Sequence, residues 1–156
     1  MKELIHPYEI TISTEEEVEY ISDEIMHFNS RMVPFTQKET PIFKRYVIKD
    51  NNQVIAGINA IIYHWGILFI DELFVSETHR HKKLGSYLIK KVEDEAREIG
   101  ATLSHTDTFD FQAKGFYIKQ GYTVFGILED CPKDHKRFYL SKTLDKSSDT
   151  TLAKDE

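Results

Sequence analysis

A strand, a basic turn and an amphipathic helix, running from Ile67 to Gly100, constrain this chain more than any other stretch. Ile67 to Val75 (ILFIDELFV) is an apolar run of strand length, bounded by Trp65-Gly66 before it and Ser76 after it. Downstream, Leu84, Leu88, Val92, Ala96 and Ile99 recur at three- and four-residue spacing and predict one apolar helical stripe. Lys90, Glu93, Asp94 and Arg97 fall on the opposite side, with Glu93 and Arg97 in the favourable acid-first order for an i,i+4 ion pair. Gly100 follows, where a left-handed C-terminal cap is expected. The helix start is unusual. Partial positive charge there favours acidic residues, yet His79, Arg80, His81, Lys82 and Lys83 precede the helix. Such a turn suits a phosphate-bearing ligand at a helix N-terminus. A solvated turn whose cations point away from the helix axis is an equal alternative on spacing alone.

The rest of the chain reads as support for this unit. Tyr8 to Ile12 alternates as a first strand. Thr14-Glu15-Glu16-Glu17 is a capping-box pattern that starts a helix through Val18, Ile21, Ile25 and Phe28. Met32 to Pro41, with two prolines, reads as a loop or a short broken helix. Phe43 to Lys49 and Gln53 to Tyr63 read as an antiparallel hairpin turning at Asp50-Asn51-Asn52. His64-Trp65-Gly66 turns into the key strand, which makes a three-strand meander. Gly57 marks a bulge or close packing within its strand. Ala101 to Thr106 is a strand that completes a β–α–β crossover, so it should lie parallel to Ile67–Val75. A ligand is then expected at the carboxyl ends of that pair. Tyr122 to Leu128 and Lys136 to Leu140 read as a last antiparallel pair, and 143–156 as a polar, disordered tail to a domain spanning 1–142.

Two motifs carry a family resemblance. The basic turn continues as Arg80-His81-Lys82-Lys83-Leu84-Gly85-Ser86, and the segment from Asp110 to Tyr122 reads DFQAKGFYIKQGY. The first resembles the acetyl-CoA-binding motif of the GNAT acetyltransferase superfamily, with Arg80 and Gly85 matching and Lys83 standing where a glycine is usual. The second is similar to a further motif of that superfamily at Ala113, Phe116, Tyr117, Gly121 and Tyr122, with Asp110 in place of an asparagine.

This resemblance implies an α/β (α+β) fold with a mixed central sheet of six to seven strands, a splayed parallel pair and flanking helices. It implies acetyl-CoA as co-substrate, without a metal. Turn residues Arg80, His81, Lys82, Lys83, Leu84, Gly85 and Ser86 would hold the pyrophosphate, with Lys83 adding charge where glycine would allow closer backbone approach. Backbone groups of Leu73, Phe74 and Val75 would hold the pantetheine arm, and Asp110, Ala113 and Phe116 would complete the cofactor site. For Asp110 a helix N-cap is slightly preferred. Tyr117 would protonate the departing thiolate. Phe35 falls in the region that lies over the acceptor site in this fold, although a packing role suits it better.

Acetyl transfer to an amine needs the amine neutral, a stabilised oxyanion and a proton for sulfur. Asp71 and Glu72 are adjacent carboxylates inside an otherwise apolar strand. Strict alternation sends them to opposite faces, so at most one serves a given pocket. Glu72 acting through a water is preferred to Asp71 as base, against the alternative that either pairs with a nearby Lys or His. Asp107 and Thr108 are further candidates for binding the amine. The chain has 20 Lys plus Arg against 26 Asp plus Glu, a net charge of −6 that argues against nucleic acid. It is compatible with cationic substrates: a small basic molecule such as a polyamine or an aminoglycoside- or streptothricin-like antibiotic, with a peptide or protein lysine as the alternative. A non-catalytic acyl-CoA-binding module is the alternative from another class. Cys131 is the one cysteine, which excludes an internal disulfide framework. Cys131, Asp134 and His135 invite a metal or thiol reading that a turn explains better. His105 reads as a satisfied core residue. No apolar run spans a membrane, and without a signal-peptide core the cytoplasm is the default location. A homodimer through Phe125, Ile127, Phe138 and Tyr139 is possible.

Overall fold

The computed structural model describes residues 3–5 and 8–144, which form two compact units, Met1–Phe35 and Thr36–Glu156. In the first unit, β1 (Glu3–Ile5) pairs antiparallel with β2 (Tyr8–Ile10), so the expected first strand is shorter and has a partner that alternation alone did not reveal. Helix α1 (Glu15–Met32) begins at the expected capping box. The Thr14 N–H donates to Glu17 Oε2 at 2.7 Å, and the Glu17 N–H donates to Thr14 Oγ1 at 3.3 Å. Phe35 closes this unit.

The second unit contains β3 (Ile42–Asp50), β4 (Gln53–Tyr63), β5 (Ile67–Val75), α2 (Leu84–Glu98), β6 (Leu103–Phe109), α3 (Lys114–Lys119), β7 (Thr123–Glu129) and β8 (Lys136–Thr143). Its strands form one mixed six-stranded sheet in the order β3-β4-β5-β6-β8-β7. Only β5 and β6 run parallel, as the crossover through α2 requires. The β3–β4 turn holds Asn51 and Asn52 at φ 46° and 66°, the paired positive values that match strand twist in a two-residue hairpin.

One face of the sheet carries the core. Ala56, Ile58, Ala60 and Ile62 of β4, with Leu68 and Ile70 of β5, are buried with Leu88, Ile89, Val92 and Ala96 of α2. Gly100 caps α2 at φ 86°. The stripe is rotated slightly from the expected one: Ile89 joins it, and Ile99 is exposed at the C-cap. Glu93, expected on the outer side, is only 3% exposed. It accepts from Tyr122 Oη at 2.9 Å and Lys142 Nζ at 2.7 Å, as well as from Arg97 Nη2 at 3.3 Å. A carboxylate can occupy the core side only because three donors meet it there. A second tie joins β3 to α2, where Lys44 and Lys91 flank Glu95 and hold its carboxyl down to about 2.

The chain end differs from expectation. β8 runs to Thr143, and Leu144 is buried, with its N–H on Thr102 O at 2.8 Å. The last strand and the core thus take the first two residues assigned to the tail; 145–156 lie outside the described residues. Of the four residues offered for a dimer surface, Phe138 is core, whereas Phe125 and Ile127 are exposed on the edge strand β7. Among the described residues no helix is long and apolar enough to cross a membrane.

Candidate active site

The parallel ladder between β5 and β6 stops at Ile70↔Thr106. Beyond that rung β5 continues to pair with β4 through Leu73↔Ile58, Phe74↔Gly57 and Val75↔Ala56. Among the described residues its other edge therefore has no strand partner from Asp71 to Val75, where the Val75 carbonyl accepts from Arg80 Nε at 3.4 Å. A bulge marks the split. Ile70 opposes Ala60 and Glu72 opposes Asn59, so Asp71 is the extra residue. The strict alternation expected for Asp71 and Glu72 is broken at this point, and both carboxylates are exposed rather than buried in the strand.

At the end of β5 the chain passes a 3₁₀ turn (Glu77–His79) and enters α2 with His81 at φ 64° and Lys83 at φ 61°. Lys83 is the N-cap in left-handed conformation, without a side-chain capping bond. It thus adopts the conformation that a glycine would adopt at little cost. The first intrahelical bond runs from Tyr87 N–H to Lys83 O at 3.0 Å, which leaves the N–H groups of Leu84, Gly85 and Ser86 without helical acceptors. Arg80, His81, Lys82 and Lys83 are exposed around them. Gly85 is buried, and a Cβ there would lie 3.1 Å from the Phe116 ring and 3.6 Å from Val75, so three expected cofactor residues do meet. The Ser86 hydroxyl accepts from Gln120 Nε2 at 2.9 Å.

The left-handed Lys83 makes a testable expectation. Relieving it in Lys83→Gly gains about 1–2 kcal/mol, against a loss of about 0.4–1 kcal/mol from the freer unfolded chain. The urea midpoint should rise slightly at unchanged slope. A lower midpoint would mean that the lysine side chain contributes more than its exposed position shows.

Helix α3 places Tyr117 on the α2 side of the sheet, 5% exposed, with ring edges against Phe116 and Tyr122. Its hydroxyl lies beside the side chain of Thr106. Thr106 Oγ1 in turn donates to Ile70 O at 2.9 Å, across the last rung before the split. Burial raises the Tyr117 pKa, Thr106 opposes that shift, and Asp107 adds to it. Two expectations fail here. Thr108 is buried and accepts from Ala113 N–H at 3.3 Å, so it anchors the start of α3 and does not face an amine. Asp110 does not cap α3, whose N-cap is Ala113. Its carboxylate instead pairs with His135 Nδ1 at 2.9 Å and accepts from Lys136 N–H at 3.0 Å. Burial pushes the Asp110 pKa up, but those bonds win and hold it below the usual range.

The opposite sheet face is polar around the split. Glu72 accepts from Asn59 Nδ2 at 2.6 Å. Across the gap, Asp107 Oδ1 takes Arg137 Nε at 2.7 Å and Nη2 at 2.6 Å. His105 stacks on Phe69 and bonds Tyr63 Oη at 2.8 Å, with its pKa lowered by burial, as a satisfied interior histidine. Among the described residues no three His, Cys, Asp or Glu side chains converge as a metal site. Cys131 and His135 meet through backbone bonds of a turn.

A strand that loses its parallel partner at a bulge, followed by unpaired N–H groups at a helix start, matches a known family. The model of the acetyltransferase (GNAT) family matches residues 6–122. The chain belongs to that family. It is 33% identical over 104 residues to a blasticidin-S acetyltransferase from Streptomyces morookaense, covering 66% of this chain and 76% of that protein. Among solved structures, an acetyltransferase from Bacillus cereus ATCC 14579 superposes with a TM-score of 0.80 at 32% identity, covering 89% of this chain and 99% of that one. A streptothricin acetyltransferase from Bacillus anthracis, solved with acetyl coenzyme A, shares the fold with a TM-score of 0.60 at 21% identity over 69% and 65%. The mixed sheet with one parallel pair is thus a GNAT fold, and the chain is an acetyltransferase. Sequence reasoning missed Thr106, Asn59 and Arg137. Each acts through a partner on another strand, and no local period signals such pairs.

Proposed function

We propose that this GNAT enzyme transfers the acetyl group of acetyl-CoA to a primary amine of a small basic molecule, by direct attack in a ternary complex. The observation that carries this reading is the split at Ile70↔Thr106, with Tyr117 on one face and Glu72 on the other. The turn fits the donor: three N–H groups at the start of α2 suit the pyrophosphate, and Lys83 preserves the glycine-like backbone there. Gly85 leaves room beside Val75 and Phe116 where a Cβ would crowd the Phe116 ring. The pantetheine arm would pair with the free edge of β5 over Leu73–Val75, and an N–H of that edge would meet the developing oxyanion.

The residues then divide the proton work. Glu72, oriented by Asn59, takes the ammonium proton through a water and leaves the nitrogen lone pair free to attack the thioester carbon. As the carbon–sulfur bond breaks, Tyr117 supplies the proton to the thiolate, and the second proton that the nitrogen loses on forming the amide restores the phenol through water. Its raised pKa keeps it protonated at neutral pH, which a proton donor requires. Asp71, exposed at the bulge, is the runner-up base. The relative's blasticidin-S activity and the antibiotic acetyltransferases of the same fold support small basic antibiotics as the acceptor class.

The test is acetyl-CoA-dependent thiol release against polyamines, aminoglycosides, streptothricin, blasticidin-S, amino acids and lysine peptides, alongside calorimetric titration of coenzyme A. Turnover confined to one small-amine class is the expected result. Turnover with lysine peptides alone would replace the acceptor class. Absence of coenzyme A binding would sink the reading.

A further inference from the structure

The sheet face away from α2 shows what the acceptor has to match. Along β6, Ser104, Thr106 and Thr108 are buried on the α2 side, so His105, Asp107 and Phe109 point to the other side. On β8, Phe138 and Leu140 are buried, so Arg137 and Tyr139 share the face of Asp107 and Phe109, with which they are paired in register. Glu72 reaches the same face, because it opposes Asn59 between the buried Ile58 and Ala60. The split in the sheet therefore has a carboxylate on its β5 side and a guanidinium on its β6–β8 side.

Arg137 is held rigidly. Asp107 Oδ1 accepts from its Nε and Nη2, and the guanidinium carbon lies 5.4 Å from the Phe109 ring centroid and 5.5 Å from that of Tyr139. The Asp107 bonds leave the Nη1 amine for another acceptor. The side chain is 34% exposed, so a ligand can reach it. A guanidinium fixed by one carboxylate and two rings binds an anion with little ordering cost. Its setting is otherwise acidic, with Asp71 and Glu72 across the split in a chain of net charge −6. Asp107 offsets the charge of Arg137, so the subsite selects an acid through its remaining donors, and a purely cationic acceptor leaves those donors unused.

We propose that Arg137 is an anion subsite of the acceptor pocket, and that the acceptor carries a carboxylate at least about 10 Å from its reacting amine, two strand spacings from β5 to β8 being the minimum where β5 and β6 have parted. The inference rests on the acetyl-transfer reading above and narrows it: the substrate is a zwitterionic amine, and polyamines are excluded. Glu72 receives the amine, and Arg137 sets the distance to the acid.

Glycine oligomers measure that distance directly, since an extended chain advances about 3.3–3.6 Å per residue. Thiol release with acetyl-CoA would be followed for glycine, diglycine, triglycine and tetraglycine and for their C-terminal amides, beside spermidine and kanamycin. Wild-type kcat/KM should peak at triglycine or tetraglycine, above glycine and diglycine, and fall at least about tenfold on amidation, the size of one charge-assisted contact. In Arg137→Gln the ratio of acid to amide kcat/KM should collapse toward one, with the loss for the acid carried by KM. A separate readout is calorimetric binding of N-acetyltriglycine to the enzyme saturated with coenzyme A, which should weaken in Arg137→Gln while coenzyme A affinity stays unchanged. Equal use of acid and amide by the wild type, or transfer to spermidine or kanamycin but to no oligoglycine, would overturn the subsite and leave acetyl transfer standing. Transfer to no amine at all, with coenzyme A still bound, would overturn the reading beneath it.

Discussion

Replacing Tyr117 by phenylalanine should lower turnover at least about tenfold, and by up to the roughly 10²–10⁴-fold that a positioned proton donor contributes. Coenzyme A should still bind. The ring is 5% exposed between Phe116 and Tyr122, and phenylalanine keeps its shape, so the fold should survive. The pH profile carries the sign. Burial raises the Tyr117 pKa above its ordinary value near 10, and the Asp107 charge raises it further, against the opposing effect of Thr106. The donor therefore stays protonated through the neutral and mildly alkaline range. Wild-type turnover should rise as acceptor amines deprotonate and show no alkaline fall before about pH 10.

Thr106 makes the same expectation sharper. Thr106→Val removes the hydroxyl that bonds Ile70 O and lies beside Tyr117, so kcat should fall with little change in KM for acetyl-CoA. Thr106→Ser should restore it. Unchanged turnover in Tyr117→Phe would remove Tyr117 from the chemistry, whatever Thr106 does.

The largest loss of stability is expected at Glu93. Its carboxylate is 3% exposed and meets Tyr122, Lys142 and Arg97, and Tyr122 also bonds Ser104 at 2.7 Å. The network joins α2 to β6 and β8. Glu93→Ala leaves Lys142 and Arg97 at 20% and 13% side-chain exposure without their shared anion. Removing one member of a buried pair costs about 3–5 kcal/mol, and the partial exposure of both cations points to the lower end, about 3 kcal/mol. Arg97 keeps Asp94 at 2.9 Å through Nη1, so the loss falls mainly on Lys142 and the Tyr122 hydroxyl. Glu93→Gln keeps the size and an acceptor for Tyr122, and should cost less. The denaturant midpoint at unchanged slope reports both values. A loss under about 1 kcal/mol for Glu93→Ala would show that Lys142 and Arg97 rehydrate freely.

Much of the fold was legible because its signals are local. The apolar run of β5, the stripe of α2, the Gly100 cap, the capping box at Thr14 and Glu17 and the Asn51-Asn52 turn each follow from propensity or period within a few residues. The parallel β5–β6 pair follows from crossover handedness and the length of α2. The motifs proposed to hold the donor were legible for the same reason, since Arg80 to Ser86 and Ala113 to Tyr122 are contiguous.

The polar sheet face was not. Asp107 and Arg137 are 30 positions apart and meet only because β6 and β8 share a register. Glu93 looks like an outer-face residue until Lys142, 49 positions away, arrives beside it on β8. One residue inserted at Asp71 resets which side chains of β5 face the cleft, and no alternation pattern contains that insertion. The sequence by itself determined the strand–turn–helix unit and the family, because short-range sterics and hydrogen bonding write these into adjacent residues. The tertiary structure alone decided which side chains share the polar sheet face, because strand register and long-range charge pairing are settled only when distant segments pack together.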